Sequence, residues 1–433
     1  MGKWVKNTTM LAVVGLLFAG LCACGKDNSG VNLIPNNNQE EKMVNLYAPM
    51  GKSSADADNV SMTAQEMTIL LAEEKLGLRI NFRSYLAEDY KDKTYDQVAV
   101  ERVHSNMDDF YLLNPDVIQA LGAEGKLADL SGLKNVENLR DVVKTANTVD
   151  GKLVAIPQEI VANGLFVNED MFKRYKLKLP ETPEDLLECC RVFKENGIET
   201  PIGANRWWLE NFVFAQAYAE LYNGGNTQAE IEALNNGEAK YSDYMRPGFE
   251  FLKQLIDLEY IDAKAAYTCE AIDGEGPDFL AQKTPIVMAY WSAANVDTAY
   301  GATDFSLKVI GFPSSLGPMP VVSMTGYGVG VDAENADDAL DVMNVLISDE
   351  ALKLYAEENN VISPSKNVEV ECKDALKPLN DRVNEGIYVL GSNASMKVEQ
   401  WGNTCMIVRE LLNGASVEEC LAEFDRLQEE SLQ

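Results

Sequence analysis

The side chains best suited to binding chemistry are tryptophans that follow the first 23 residues. Two are adjacent after the stretch "PIGANR", one ends the apolar run "IVMAYW", and one begins "WGNTCMIVRELL". They are Trp207, Trp208, Trp291 and Trp401. An indole ring can stack on the apolar C–H face of a sugar ring, while polar side chains at the edge bond its hydroxyls. Residues of these types are able to bind a polar, ring-shaped ligand without covalent chemistry.

Patterns that carry catalysis are missing from the sequence. There is a single histidine, His104, and no zinc-protease helix, serine nucleophile elbow, phosphate-binding lysine loop or cysteine–histidine pattern. The six cysteines after residue 24 lack metal-ligand spacing, so we expect buried free thiols, with a Cys405–Cys420 disulfide as the open alternative. A glycosidase needs only two carboxylates, and 68 acidic residues leave that alternative open. We expect no enzyme, no cofactor and no metal.

The first 42 residues indicate export and a lipid anchor. Lys3 and Lys6 precede an apolar run that is shorter than the roughly 17–25 residues of a membrane-spanning helix. The following "LCAC" resembles the lipobox of bacterial lipoproteins, which implies cleavage after Ala23 and a diacylglycerol on Cys24. Residues 24–42 are rich in Asn and Gly and would form a flexible tether of up to roughly 60 Å. An uncleaved membrane helix is the alternative.

Charge and composition bound the remaining possibilities. The net charge is −31, from 37 basic and 68 acidic side chains. Such a surface is repelled by phosphate backbones, which excludes nucleic acid as a partner and leaves a cationic ligand open. The 46% hydrophobic content indicates a packed core, and 433 residues fit two large lobes or about three small domains.

Strand and helix patterns alternate along the chain. Strands are predicted in "MVNLYAPM", "LRINFRSYL" and "DDFYLL", and helices over Thr63–Leu76, over Tyr95–His104 and from Pro115 onward, with Asn114 as N-cap. The pattern restarts downstream with a helix that Thr182 caps, and with strands in "TPIVMAY", "LKVIGFP" and "VVSMTGYGVGV". This alternation predicts largely parallel open sheets with helices on their faces.

Three stretches resemble extracellular solute-binding proteins of carbohydrate ABC transporters. "DGKLVAIPQEIVANGLFVNED" resembles the region where the chain passes between lobes, "FLAQKTPIVMAYWSAANVD" the strand that ends in an aromatic residue at the cleft, and "GYGVGVDAENADDALDVMNVL" the return strand and helix. Gln282 stands where that family usually has glycine. The resemblance implies an α/β fold of two lobes, each a mostly parallel open sheet with flanking helices, joined by a hinge with the ligand cleft between them.

The resemblance also divides the chain and implies partners. The expected parts are a signal peptide (1–23), a lipidated cysteine and linker (24–42), the first lobe (43–156), the second lobe (157–305), return strands of the first lobe (306–335) and C-terminal helices, mostly of the second lobe (336–433). The expected protein is a monomer on the extracellular face of the membrane of a Gram-positive bacterium. It would deliver a sugar to permease subunits.

Polar residues near the predicted strand ends complete the candidate ligand site. Lys52 follows the first strand, Tyr111 and Asp116 flank the end of the third, and Glu159 lies in the segment that crosses between lobes. Tyr327, in "TGYGVGV", is a weaker candidate. Each of these positions is also typical of an ordinary surface or capping residue.

The tryptophans differ in how directly their positions predict a ligand contact. Trp291 ends a strand, and ligands of such sheets bind beyond the carboxyl ends of the strands. Trp207 and Trp208 head a predicted helix and point to different sides, so one of them is expected to be exposed. Trp401 lies where the resembling family often places a stacking aromatic residue. Core packing is the alternative for each.

The sequence therefore predicts a lipid-anchored sugar-binding subunit of an importer. Two alternatives stay open. The same fold could bind a peptide or a polyamine, or the protein could be a surface glycan-binding or sensory lipoprotein that works without a transporter.

Overall fold

The computed structural model describes residues 42–49, 63–85, 93–269, 276–288 and 303–433. Its strands are β1 (Met43–Ala48), β2 (Arg79–Ser84), β3 (Phe110–Leu113), β4 (Thr148–Val149), β5 (Lys152–Leu153), β6 (Val161–Asn163), β7 (Leu165–Asn168), β8 (Ile202–Gly203), β9 (Ile286–Met288), β10 (Leu307–Ile310), β11 (Val321–Ser323), β12 (Gly326–Val329) and β13 (Val389–Leu390).

The helices of the described residues carry the rest of the fold. They are α1 (Ala64–Leu76), α2 (Tyr95–His104), α3 (Pro115–Ala123), α4 (Asp141–Asn147), α5 (Glu169–Arg174), α6 (Pro183–Glu195), α7 (Glu210–Ala217), α8 (Ala219–Asn223), α9 (Thr227–Asn236), α10 (Tyr241–Asp257), α11 (Ala263–Thr268), α12 (Gly276–Leu280), α13 (Ala336–Leu346), α14 (Asp349–Asn359), α15 (Lys377–Asn384), α16 (Trp401–Leu412) and α17 (Val417–Ser431). A 3₁₀ turn covers Val136–Asn138.

The first lobe is built on a sheet of strand order β12-β3-β1-β2. Strand β1 lies between β2 and β3 and is parallel to both, while β12 is antiparallel to β3. Buried Asp109 immediately precedes β3 and accepts hydrogen bonds from the backbone N–H groups of Asn45 (2.7 Å) and Asn335 (2.9 Å). This carboxylate therefore links β1 to the N-cap residue of α13.

Helices α13 and α14 belong to the first lobe, because both pack against α1. The prediction that 336–433 lies mostly in the second lobe therefore needs a correction for these two helices. Strand β10 needs another, because it pairs with β7 of the second lobe. The chain returns to the first sheet at β12, which pairs with β3.

The second lobe contains a sheet of order β10-β7-β9-β8, and this sheet is mixed. Strand β7 is antiparallel to β9 and to β10, whereas β8 and β9 are parallel. The expectation of a second mostly parallel sheet was wrong in this respect. Strand β7 thus runs opposite to both of its neighbours in this sheet.

A third sheet, which we call the crossing sheet, lies where the chain passes between the lobes. Its order is β13-β11-β6. Strand β6 leads into β7 of the second lobe, and β11 leads from β10 back to β12 of the first. Since β11 is antiparallel to β6 and parallel to β13, three separate passages of the chain are hydrogen-bonded together here.

Helices α7 and α10 make a close contact in the core of the second lobe. They meet at Gly248, where an added Cβ would overlap the backbone of Val213, with the Val213 Cα only 2.8 Å away. The preceding residue, Pro247, lies inside α10, which begins at Tyr241. The bare glycine backbone is what permits this helix pair to approach so closely.

The six cysteines of the described chain are free thiols: Cys189, Cys190, Cys269, Cys372, Cys405 and Cys420. Cys420 Sγ donates to the carbonyl oxygen of Ile407 at 3.8 Å, and the Cys405–Cys420 disulfide is not formed. Cys189, Cys190 and Cys420 are buried, and the other three are half-buried.

No helix among the described residues is both long enough and apolar enough to cross a membrane.

Replacing Gly248 by alanine should destabilise the second lobe by about 1–3 kcal/mol, because the new methyl group overlaps the backbone of α7. Urea unfolding followed by circular dichroism measures the change. Gly132→Ala is the matched control, since nothing lies within 4 Å of its added Cβ, and it should stay within about 0.5 kcal/mol of the wild type. Equal stabilities of the two variants would contradict the proposed close contact.

Candidate ligand-binding site

The turn after β8 presents Trp207 and Trp208. Buried Asn205 accepts a hydrogen bond from the Trp207 backbone N–H through its Oδ1, at 2.9 Å, which closes a tight turn. The two indoles are half-buried and precede α7, so they stand in the turn rather than in the helix itself. The parallel strand β9 ends beside β8, and the turn therefore leaves the sheet at the edge where a ligand is expected.

Two guanidinium groups lie against Trp207. The Cζ atom of Arg206 is 4.8 Å from the centre of the indole ring, and that of Arg409 in α16 is 5.7 Å away. Both distances suit a cation–π contact. Trp207 therefore contacts an arginine of its own turn and an arginine of a distant helix.

Trp401 begins α16 and meets Trp208. The ring centres are 6.2 Å apart and the planes are inclined by 71°, an edge-to-face arrangement. Behind the indole lies Gly391, directly after β13, where an added Cβ would come within 2.8 Å of the Trp401 ring. The structure thus brings three of the four predicted tryptophans together, and we call Trp207, Trp208 and Trp401 the tryptophan cluster.

Asp116 connects the first lobe to this cluster. It lies in the first turn of α3, and its carboxylate accepts hydrogen bonds from the Ser392 hydroxyl and from the backbone N–H of Gly402, both at 3.1 Å. Gly402 is the second residue of α16, so a carboxylate lies at the positive end of that helix. Asp116 therefore bonds directly beside Trp401.

Glu399 is a site residue that the sequence did not reveal. Its carboxyl group hydrogen-bonds to that of Asp116, and its pKa is raised to about 7, first by loss of hydration and then by the Asp116 charge. Asp96 of α2 lies near both, and burial raises its pKa, although the Asn114 amide, 2.8 Å away, acts in the opposite direction. Three acidic groups from both lobes meet here. Among the described residues, no cluster has the arrangement of a metal site.

Glu210 is a second residue that was missed. It is fully buried at the first position of α7, and burial raises its pKa well above the usual range. Its Oε1 accepts a hydrogen bond from the Asn211 amide at 2.9 Å, and the Cys405 thiol of α16 lies beside it. Glu210 therefore joins the helix that follows Trp208 to the helix of Trp401. Its position two residues after "WW" could have identified it as a candidate from the sequence.

Tyr111 lies in the core and not in the candidate site, which corrects its prediction as a ligand contact. The side chain is fully buried. Its hydroxyl accepts a hydrogen bond from the Asp108 backbone N–H at 3.0 Å and is 2.8 Å from the Asp108 carbonyl oxygen. These internal partners satisfy the hydroxyl, which leaves it no role toward a ligand.

Glu159 lies in the segment between the first sheet and β6, apart from the tryptophan cluster. The residue is half-buried, and burial raises its pKa to about 7. The charge of Glu159 contributes to the raised pKa values of Tyr327 and Tyr355. Tyr327 itself is buried and accepts a hydrogen bond from the Gln65 amide at 2.7 Å. Glu159 remains a proposed contact.

The predictions for Lys52, Trp291 and Cys24 fall outside the described residues.

Two α/β lobes joined by a crossing sheet, with aromatic and acidic side chains where they meet, define a two-lobed binding protein. Residues 80–353 match the family described as bacterial extracellular solute-binding protein. The chain belongs to this family. It is a family of proteins that bind solutes outside the cytoplasm, and it is not an enzyme family.

Individual relatives are distant in sequence. The "Multiple sugar-binding protein" of Streptococcus mutans serotype c is 23% identical over 213 residues, which cover 48% of this chain and 47% of that protein. The match thus spans about half the length of this curated relative.

Solved structures support the fold over most of the chain. A family 1 extracellular solute-binding protein from Bifidobacterium longum subsp. infantis superposes with a TM-score of 0.72 at 15% identity, covering 90% of this chain and 99% of that one. The GacH receptor of Streptomyces glaucescens, solved without ligand and with acarbose, gives 0.66 at 15% identity, with 90% and 98% covered.

Glu399→Gln should flatten the dependence of stability on pH. The folded-state pKa of Glu399 is raised, so the folded state holds its proton more tightly, and this contribution to stability is lost as pH rises from about 4.5 to about 7. Unfolding temperatures measured across that range test this. Glu238→Gln, a change at an exposed glutamate, is the control. The same pH slope in wild type and Glu399→Gln would contradict the expectation.

Proposed function

We propose that the protein captures a sugar or oligosaccharide outside the cell and delivers it to the permease of an ABC importer. The observation that carries the proposal is the tryptophan cluster, with the Asp116–Glu399 carboxyl pair at its edge. Indole faces stack on the C–H faces of sugar rings, and carboxyl oxygens bond hydroxyl groups. Few ligand classes require both features side by side.

Binding in this proposal is entirely non-covalent. The ligand stacks on an indole and bonds the polar edge, and the lobes close only as far as it contacts both of them. Ordering of the ligand and of side chains opposes association. The contacts of Trp207 with Arg206 and Arg409, and of Trp401 with Gly391, fix the rings beforehand and reduce that cost.

Two of the relatives support the sugar class. One is named for binding multiple sugars, and another was solved with acarbose. We propose that Trp291 and Lys52 contribute from the same cleft, as the sequence predicts, and that Glu159 does so from the crossing segment.

We propose that the protein has no catalytic activity. Asp116 and Glu399 are the acidic pair at the edge of the cluster, and they are hydrogen-bonded to each other. Glycosidases hold their two carboxyl groups roughly 5–9.5 Å apart, so that the scissile bond or a water fits between them. A directly bonded pair lacks that space.

A polyamine is the second candidate ligand, because the net charge is −31 and Asp96, Asp116 and Glu399 lie together. Against it stand Arg206 and Arg409, whose charges flank Trp207 and would repel a cation at that ring. The neutral sugar is therefore the better fit.

We also propose that Cys24 carries the lipid that holds the protein at the extracellular face of the membrane of a Gram-positive bacterium, as a monomer. Two acyl chains suffice for stable anchoring, whereas one chain binds only marginally. In this proposal residues 24–42 connect the lipid to the binding lobes, which can then reach a permease.

Trp207→Ala should lower the affinity for the best-bound sugar by roughly 10- to 100-fold, because one stacking face is lost. Calorimetry against a panel of neutral sugars, peptides and spermidine measures this, with Trp207→Phe as the control that retains an aromatic ring. Thermal unfolding should change little, since the indole is half-exposed. Binding of spermidine instead of any sugar would overturn the ligand class, and new reducing ends after incubation with oligosaccharides would overturn the absence of catalysis.

Cys24→Ser should release the protein into the growth medium, because the residue can no longer accept a diacylglycerol. Immunoblots of membrane and medium fractions measure the distribution, and Cys22→Ser, which alters the neighbouring cysteine, is the matched control. Membrane retention of the Cys24→Ser protein would contradict the lipid anchor.

A further inference from the structure

Helix α16 of the second lobe takes its N-terminal cap from the first lobe. Gln400, which precedes the helix, makes no side-chain capping hydrogen bond. The backbone N–H of Gly402 donates instead to the carboxylate of Asp116 at 3.1 Å, and Asp116 belongs to α3 of the first lobe. The free N–H groups and the dipole of a helix N-terminus favour such a carboxylate. The cap is therefore made only while the two lobes lie together.

Glu399 brings a second carboxyl group to the same point. A Cβ added to Gly402 would overlap Glu399 Oε1 and would lie 3.5 Å from Asp116 Oδ2, so both carboxyl groups lie against this glycine. They are hydrogen-bonded to each other, and a hydrogen bond between two carboxyl groups requires a proton. Without that proton the two negative charges repel each other. The contact between the lobes therefore depends on one proton.

The surroundings of the pair favour that proton. Loss of hydration, the charge of Asp116 and the charge of Asp96 in α2 together raise the pKa of Glu399 from about 4.5 to about 7. When the lobes separate, water reaches Glu399 and the acidic groups of the first lobe move away, so its pKa returns toward the ordinary value. The closed arrangement thus holds a proton that the open arrangement releases at the same pH.

The thiol of Cys405, in α16, is another titratable group beside Asp116. Burial raises the pKa of this thiol well above its usual range, Glu210 and Asp116 act in the same direction, and Arg409 opposes them. Burial and Glu210 belong to the second lobe itself, because Glu210 lies in α7 and α7 packs against α16. The thiol therefore keeps its proton whether or not the lobes are together.

Other hydrogen bonds between the first lobe and the chain just before α16 join neutral groups. The Gln119 amide donates to the carbonyl oxygen of Met396, and the Ala394 N–H donates to that of Ala146 at 2.9 Å. Neither bond gains or loses a proton with pH. A change of pH around neutrality therefore acts on this contact through the carboxyl pair.

We propose that the Asp116–Glu399 pair is a proton-dependent contact that holds the lobes together for sugar binding and releases them when the proton is lost. The proposal rests on the proposed sugar-binding function and adds regulation to it. Trp401 directly precedes Gly402, so the loss of the cap also loosens one ring of the tryptophan cluster. A sugar that requires the closed arrangement is then bound together with a proton.

The direction of the pH effect follows from the pKa of Glu399. This pKa is higher in the closed, binding-competent arrangement, so the gain in affinity is complete below about pH 4.5 and is lost as pH rises through about 7. A protein outside the cell meets the pH of its medium. Capture of the sugar would therefore be strongest in an acidic medium.

Small-angle X-ray scattering of the sugar-free protein tests the contact without any ligand. The radius of gyration should be larger at about pH 8 than at about pH 5.5, in about 0.15 M salt that screens the net charge of −31. Glu399→Gln carries an amide that donates to Asp116 at either pH, so its radius should not change. Glu238→Gln, at an exposed glutamate, is the control and should behave like the wild type. Equal wild-type radii at both pH values would overturn the proposal.

Calorimetry with raffinose, maltotriose and xylotriose tests the link to binding. A sugar that binds the wild type should do so at least about fivefold more tightly at about pH 5.5 than at about pH 7.5. In Glu399→Gln this ratio should fall to about twofold or less. Titrations at about pH 6 in buffers of different ionisation enthalpy count the protons taken up, which should be between about 0.5 and 1 per sugar in the wild type and near zero in the variant.

The two proposals fail in different ways. A sugar that binds the wild type equally well at both pH values and without proton uptake would overturn the proton-dependent contact and leave the proposed function intact. If none of the three sugars binds at either pH, the proposed function fails, whereas the scattering result stands by itself. Proton uptake by the wild type needs no variant, so it decides the matter even if Glu399→Gln does not fold.

Discussion

The arrangement of the site depends on one carboxylate that bonds across the molecule. Asp116, in the first turn of α3 in the first lobe, accepts hydrogen bonds from the Ser392 hydroxyl and from the backbone N–H of Gly402. The same segment is held by the first lobe again where Ala394 N–H donates to the Ala146 carbonyl oxygen at 2.9 Å. These bonds fix the start of α16, and α16 carries Trp401, Asn403 and Arg409. The position of Trp401 in the tryptophan cluster therefore depends on this anchor.

Much of the fold could be predicted because its signals are local. Thr63 and Thr182 cap helices with reciprocal hydrogen bonds, and the helix over Tyr95–His104 has the predicted bounds. Two features depend on contacts that no short stretch encodes. Helix α10 begins six residues before Pro247, because packing against α7 and α17 outweighs the one hydrogen bond that a proline removes. The direction of β7 relative to β9 and β10 rests on pairings between residues more than 100 positions apart, such as Leu165 with Met288.

The sequence points to the clustered tryptophans and to Asp116 as candidate contacts, but not to Glu399. Tryptophans are few, so Trp208 and Trp401 stand out by residue type alone, whereas Glu399 is one of 68 acidic residues and only folding brings it to Asp116. Tyr111 failed for the opposite reason. It has a residue type that suits a ligand contact, but it is the second residue of β3 and its hydroxyl is satisfied internally by Asp108. Residue type predicts what a side chain can do, and tertiary structure decides which partner it finds.

The contact between Gly391 and Trp401 has an optical consequence. The indole lies against the backbone directly after β13, a strand of the sheet through which the chain passes between the lobes. Any rotation of the lobes about that sheet alters the surroundings of this ring, and indole emission responds to its surroundings. The protein thus carries its own fluorescent reporter of lobe movement, placed by a residue that has no side chain.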